Sequence, residues 1–151
     1  MKSVTPEPEA QRIAEASAQA LFANDHASRN LGIKIEDVMP GFARLRMTVR
    51  ADMVNGHGMC HGGIVFALAD SAFAVACNTY NEVTVAAAAS IDFLASARVN
   101  DELTAEACEL WRSKRSGIYE ISVANQRGET VALFRGRSHC TGGRIAPVAK
   151  E

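Results

Sequence analysis

The stretch from Ile64 to Cys77 (IVFALADSAFAVAC) restricts the possible folds of this chain more than any other part, because it is apolar apart from Asp70 and Ser71. Its apolar residues point in every direction around a helix, and a helix that is apolar on all sides is buried. The sequence therefore predicts a central helix over residues 61–80, about 30 Å long. The apolar run is shorter than the roughly 20 residues that cross a bilayer, so no membrane span is expected.

Other segments alternate between apolar and polar residues, which indicates strands. One such segment, residues 43–50, precedes the central helix, and it is followed after the helix by strand candidates at 83–93, 102–112, 117–125 and 130–140. The alternation in 102–112 slips after Ala107, which predicts a β-bulge.

Residues 83–93 (VTVAAAASIDF) are ambiguous. Their alanines favour a helix, whereas the valines, Ile91 and Phe93 favour a strand. In a strand, these small residues would let the sheet approach the central helix closely.

The order of elements predicts an α+β fold in which an antiparallel sheet wraps around a long central helix. Residues 7–24 have a helical apolar spacing, and Asp25 is expected to cap a short turn after them. The chain is divided into a helical extension (1–29), one main domain (30–141) and a flexible tail (142–151). A length of 151 residues fits a single domain.

The formal net charge is −1, which offers no electrostatic basis for binding nucleic acid or an anionic membrane. The four cysteines, Cys60, Cys77, Cys108 and Cys140, are far apart, and no secretory signal opens the chain. We therefore expect reduced thiols in a cytoplasmic protein.

Asp70 is the acid with the most unusual surroundings. A buried carboxylate is costly unless it is paired or hydrogen-bonded, so Asp70 is either a structural residue bonded to backbone groups or a functional acid. Just before it, Gly62 and Gly63 begin the helix, where unpaired N–H groups and the positive dipole end can hold an oxyanion. The alternative for the two glycines is a simple turn.

A metal site is not expected. His57, Cys60 and His61 have the spacing H-x-x-C-H, which lacks a fourth ligand and a second cluster. Cys60 has no Cys–His–acid arrangement around it and is interpreted as a packed loop cysteine.

The segment NGHGMCHGGIVFALADSAFAVACN (55–78) resembles the hotdog-fold acyl-CoA thioesterases, in particular their phenylacetate-pathway (PaaI-like) branch. The shared pattern is N-G-x-G-x-x-H-G-G followed by an apolar helix with an Asp eight residues after the first Gly of H-G-G. The resemblance extends over about residues 30–141. It implies a hotdog fold and hydrolysis of an acyl- or aryl-acetyl-CoA thioester to free acid and coenzyme A, without a cofactor. It also implies a homodimer with a joined sheet, often within a homotetramer.

The resemblance also implies roles for individual residues. Asp70 is the catalytic carboxylate, as general base or nucleophile, the Gly62 N–H binds the thioester carbonyl oxygen, and Asn55 holds water or substrate. His61 completes the catalytic set beside them, and the residues expected to bind the substrate are Gly63, Ser71, Lys114 and Arg115. The last two lie in RSKRSG, which is either a solvated hairpin end or a contact for the coenzyme A phosphates. Related enzymes often carry a hydroxyl one turn after the acid, and here that position is Ala74, so its role is absent or passes to Ser71.

Helix geometry adds a prediction about assembly. Gly62 and Asp70 are eight residues apart, about 12 Å along a helix axis. A donor and a carboxylate that act on one carbonyl must each lie about 3 Å from it. One helix cannot satisfy this, but two antiparallel helices across a two-fold axis can. The sequence therefore predicts a dimer with shared active sites.

Two alternative functions remain open. A non-catalytic acyl-CoA-binding or sensing module is expected to lack a working acid, which Asp70 provides. A hotdog hydratase normally uses an Asp/His pair in a different motif.

Overall fold

The structure, a computed structural model, describes residues 5–147. Its helices and strands in chain order are α1 (Pro8–Ala23), α2 (His26–Asn30), β1 (Lys34–Met39), β2 (Phe42–Thr48), α3 (Gly62–Cys77), β3 (Thr84–Phe93), β4 (Glu102–Arg112), β5 (Ser116–Ala124) and β6 (Thr130–Cys140). A short 3₁₀ turn, Ala51–Met53, precedes α3.

The strands form one antiparallel six-stranded sheet in the order β1-β2-β4-β5-β6-β3. Helix α3 packs against β2, β3, β4, β5 and β6, so the sheet curves around it. The predicted α+β fold with a central helix is confirmed. In the segment 83–93, for which the sequence left two alternatives, Thr84–Phe93 forms strand β3.

The sequence analysis missed β1. This strand is an edge strand, and a register shift between Ile35 and Asp37 breaks the alternation by which strands are recognised. The bulge predicted in β4 is present, between Glu109 and Trp111 rather than directly after Ala107.

Helix α3 is shorter than the predicted 61–80 because Asn78 turns the chain towards β3. The Asn78 side chain accepts from Thr84 N at 2.9 Å and donates to Thr84 O at 2.9 Å. These two bonds satisfy the backbone of the first β3 residue and end the helix at Cys77.

The close approach of sheet and helix depends on a different small residue from those predicted. A Cβ on Gly136 of β6 would lie 2.7 Å from the Phe73 ring, a distance that real Cβ atoms do not reach. The alanines of β3 have no such role, since residues 86–89 are exposed. The prediction that these alanines admit the helix is therefore wrong.

One face of α3 and the edge of β3 are uncovered in the single chain. On the helix, Ala67, Asp70, Ser71 and Ala74 share one face and are only half-buried, so the prediction of burial on all sides is wrong for this face. Strand β3 pairs on one side with β6, and residues 85–90 are exposed. An unpaired strand edge of this kind is a template for pairing with another chain.

The N-terminal helices pack against this core, α1 on β1 and α3, and α2 on α3. At the other end of the chain, Asn81 Oδ1 accepts from Ile145 N at 3.0 Å and from Ala146 N at 2.8 Å. Residues 148–151 of the predicted tail, and residues 1–4 of the predicted extension, lie outside the described residues. Among the helices of residues 5–147, none is long and apolar enough to cross a membrane.

Candidate active site

The first turn of α3 is organised by His61. This residue is the N-cap, and its Nδ1 accepts a hydrogen bond from Gly63 N at 2.9 Å. Since Nδ1 is the acceptor, the ring proton is on Nε2. A Cβ on Gly63 would lie 3.1 Å from Nδ1, so the absence of a side chain permits this contact. The N–H of Gly63, a residue expected beside the substrate, is therefore already hydrogen-bonded to His61 of the same chain.

The neighbouring Gly62 N–H has, by contrast, no acceptor within residues 5–147. Gly62 is the first residue of α3, where the helix dipole adds to the attraction for an oxygen that becomes negative. A Cβ here would lie 3.2 Å from Cζ of Phe93, so this ring covers the glycine. Sequence analysis did not assign Phe93, although its place at the end of β3 beside an edge could have pointed to it.

Asn55 shapes the loop before the helix. Its Oδ1 accepts from His57 N at 2.9 Å and from Met59 N at 3.3 Å. The Nδ2 amide has no acceptor among the described residues and is available as a donor. Asn55 and Gly62 line one cavity of ≈ 290 Å³, together with Val65 and Phe93.

Asp70 does not line this cavity. Its half-buried carboxylate has no hydrogen-bond or ion-pair partner in the described part of the chain. Burial and the nearby charge of Asp25 raise the pKa of Asp70. The alternative of a structural Asp bonded to backbone groups is therefore not what this chain contains, and an unpartnered acid with a raised pKa is typical of a functional site.

Two further residues around the site are explained by packing. The Ser71 hydroxyl lies 2.7 Å from the Ser28 hydroxyl and donates to Ala67 O at 2.7 Å, so both of its interactions are with protein groups. Cys60 is buried, which raises the pKa of its thiol and makes it a poor nucleophile. Among the residues that the structure describes, no three His, Cys, Asp or Glu side chains form a group that could hold a metal ion.

Lys114 and Arg115 lie away from the first cavity. They line a second one, of ≈ 630 Å³, at the C-terminal end of α3. Arg144 adds a third cation to it and Glu82 one acid. Arg144 was not predicted because the sequence assigns it to a tail. It is held there by the backbone bond from Val83 N to Gly143 O, at 3.1 Å, beside the Asn81 contacts.

Comparison with known proteins shows the family of the chain. Residues 57–132 match the model of the family described as the thioesterase superfamily. Acyl-coenzyme A thioesterase PaaI of Escherichia coli is 49% identical over 129 residues, 85% of this chain and 92% of that protein. The chain belongs to the thioesterase superfamily.

Solved structures of thioesterase-superfamily relatives show the same architecture. The PaaI protein from the phenylacetic acid degradation operon of E. coli superposes with a TM-score of 0.88 at 47% identity, covering 89% of this chain and 97% of that one. A mutant of the phenylacetic acid degradation protein PaaI from Thermus thermophilus gives 0.74 at 37% identity, over 77% of this chain and 99% of that one. The predicted hotdog fold and the prediction of a thioester hydrolase are confirmed.

Proposed function

We propose that the protein hydrolyses acyl-CoA thioesters to a carboxylic acid and free coenzyme A, at active sites shared between two copies of the chain. One observation carries this proposal: the free Gly62 N–H and the unpartnered Asp70 carboxylate lie on the same helix but do not line the same cavity. The name of the E. coli relative supports coenzyme A as the carrier, and the phenylacetic acid operon supports an aryl-acetyl group.

The two uncovered surfaces support the dimer. If two β3 edges pair antiparallel across a two-fold axis, the half-buried faces of both α3 helices are brought together. Gly62 of a second copy then lies opposite Asp70, and the separation of about 12 Å within one helix is no longer an obstacle. Two such dimers give the homotetramer that the resemblance implies.

The location and the cofactor requirement are also proposals. Cys60, Cys77, Cys108 and Cys140 are free thiols, which supports a reducing cytoplasm. The reaction needs no cofactor, because water supplies the oxygen atom of the product acid.

The reaction proceeds as follows. The carboxylate of Asp70 takes a proton from water as the water oxygen attacks the thioester carbon, and the carbonyl oxygen becomes an oxyanion bound by the Gly62 N–H. The Asn55 amide donates to the water or the carbonyl group. The oxyanion then collapses, the carbon–sulfur bond breaks, and Asp70 returns the proton to the thiolate. Acid and thiol are released, and the carboxylate is regenerated.

A single turnover in ¹⁸O-labelled water, with enzyme in excess, tests the general-base role. Direct attack by water places ¹⁸O in the product acid. If Asp70 were instead the nucleophile, water would open a mixed anhydride at the Asp carbonyl, label the enzyme and leave the first product unlabelled. Mass analysis that finds ¹⁸O in the Asp70 peptide together with unlabelled product contradicts the general-base assignment.

The cations at the C-terminal end of α3 support a place for the coenzyme A nucleotide. Asp70 lies about 10 Å along the helix axis from the end of α3 at Cys77, and the pantetheine arm would span the distance from Asp70 to this cavity. The ammonium of Lys114 and the guanidinium groups of Arg115 and Arg144 suit phosphate oxygens, while Glu82 disfavours a closer approach on its own side.

A thiol-release assay tests the function and this subsite together. Wild-type enzyme should release thiol from an aryl-acetyl-CoA, and the double variant Lys114→Ala/Arg115→Ala should raise its KM by about tenfold, the effect of roughly 1.4 kcal/mol. KM for the N-acetylcysteamine thioester of the same acid, which lacks the nucleotide, should not change. Arg135→Ala, an exposed cation of β6 outside this cavity, is the control.

No thiol release by the wild type from any acyl-CoA would favour a binding module or a hydratase instead. Equal KM changes for both thioesters would remove the phosphate subsite from the proposal while leaving the hydrolysis intact.

A further inference from the structure

A chain of short hydrogen-bonding contacts leads from the N-terminal extension to the helix that carries Asp70. Asp25 caps α2, with Oδ1 accepting from Ser28 N at 2.9 Å and Oδ2 accepting from Ser28 Oγ at 2.5 Å. Ser28 Oγ lies 2.7 Å from Ser71 Oγ. Ser28 is buried, 4% exposed, so this contact is shielded from water. Ser71 directly follows Asp70 in the chain.

The two hydroxyl groups have two protons for three contacts, because Ser71 Oγ also lies 2.7 Å from Ala67 O. Ser28 donates to Asp25 Oδ2, and the single Ser71 proton is shared between Ala67 O and Ser28 Oγ. The Ser28 hydroxyl dipole is thereby directed towards the Asp25 carboxylate, which holds that group at a fixed place beside α3.

Asp25 is the charge that acts on Asp70 among the described residues. Burial is the larger cause of the raised pKa of Asp70, and the Asp25 carboxylate is the second. Cys77, on α3 itself, also interacts with Asp70, but burial raises its pKa to about 12 and keeps the thiol neutral. The strands packed against α3 add no charge that acts on Asp70. In the proposed dimer, His61 at the start of the second α3 would face Asp70 as well.

We propose that Asp25 is a positioning residue for catalysis, which the Ser28–Ser71 pair holds beside α3 so that its negative charge strengthens Asp70 as a base. Asp25 does not touch the substrate. This inference rests on the proposed role of Asp70, and it gives the helical extension a part in the reaction. It also explains why the Ser71 hydroxyl faces Ser28 rather than the substrate.

Two substitutions at Asp25 separate this role from helix capping. Asparagine caps a helix as well as aspartate does but carries no charge, whereas glutamate keeps the charge and is not among the good N-cap residues. If Asp25 acts only as a cap, Asp25→Asn should resemble the wild type and Asp25→Glu should be the perturbed variant. If Asp25 acts through its charge, the order is reversed.

The expected direction follows from the sign of the charge. Removing a like charge favours the ionised form of Asp70 and lowers its pKa. The base then stays deprotonated to lower pH, so the acid limb of the kcat/KM profile moves to lower pH in Asp25→Asn. Below the wild-type limb, Asp25→Asn is expected to be the more active of the two.

The experiment measures two quantities in the full-length protein: kcat/KM against pH with an acyl-CoA substrate, and the titration of the Asp70 carboxyl carbon by ¹³C NMR, assigned with Asp70→Asn. Both midpoints should move to lower pH in Asp25→Asn and stay near the wild-type value in Asp25→Glu. Glu15→Gln removes one charge from α1, where it does not act on Asp70, and should leave both midpoints unchanged.

An unchanged Asp70 titration in a folded Asp25→Asn variant overturns the inference, as does a shift in Asp25→Glu alone. A shifted titration with an unshifted rate profile means that Asp25 acts on Asp70 but that the ionisation of Asp70 does not control turnover, so the catalytic role of Asp25 and the general-base role of Asp70 are both wrong. The hydrolysis itself is judged separately, by thiol release from the wild type.

Discussion

Replacing Asp70 by asparagine is expected to lower kcat by ~10²–10⁴, the usual effect of removing a general base. Asparagine has nearly the same shape, but it cannot take the proton of the attacking water. Because the substrate is bound by other groups, KM should change far less than kcat. The measurement is steady-state thiol release by purified enzyme from an aryl-acetyl-CoA.

The fold of this variant provides the control. The pKa of Asp70 is raised in the folded state, so its contribution to stability is present below the unfolded pKa and is lost as pH rises through the folded pKa. Asparagine does not ionise, so the Asp70→Asn variant does not lose stability in this way as pH rises. It should unfold at a temperature no lower than that of the wild type at neutral pH. Glu120→Gln, an exposed carboxylate on β5, should change neither quantity. A folded Asp70→Asn enzyme with near wild-type turnover would remove Asp70 from the mechanism.

The second large effect concerns mixed dimers. Chains with Asp70→Ala and chains with Gly62→Pro should each be nearly inactive alone, since one lacks the base and the other the oxyanion donor. Purified with two different tags, a mixed dimer contains one intact site and one doubly damaged site. Its activity should therefore be about half that of the wild-type dimer, by the two-fold symmetry of the assembly.

Gly62 suits this substitution because it is the first residue of α3, a position where proline is well tolerated. The proline ring will, however, press on Phe93, as would any side chain at this position. Gly62→Ala makes the same contact but keeps its N–H, so it should retain much more activity than Gly62→Pro. If confirmed mixed dimers show no recovery while Gly62→Ala chains remain active, each active site belongs to one chain.

The extent to which the fold was predictable differs between elements for physical reasons. The run from Ile64 to Cys77 predicts α3 because an apolar surface of that size must be buried. Strand β1 was not predicted from the sequence, because its polar side chains and a register shift interrupt the alternation of apolar and polar residues. Such interruptions are common in the edge strands of sheets. The close approach of sheet and helix was assigned to the alanines of β3, whereas it depends on Gly136. Composition shows which residues are small but not which of them faces Phe73.

The candidate site divides in the same way. The motif around Asn55, His61, Gly62 and Asp70 singles out the reactive groups, and the helix rise alone separates the last two by about 12 Å. Both conclusions depend on spacing within one local segment. No local pattern indicates that His61 occupies the Gly63 N–H, which leaves the Gly62 N–H as the free donor.

What the sequence alone determined is therefore the central helix, its single acid and the glycine start, because burial and helix geometry act between near neighbours in the chain. Tertiary structure decided the contacts between distant segments. It placed Ser28, which is bonded to Asp25, against Ser71, 43 residues later, and gathered Arg144 with Lys114 and Arg115. Such contacts depend on how the sheet curves around α3 and on where the chain ends are held, and neither is encoded in a local period or spacing.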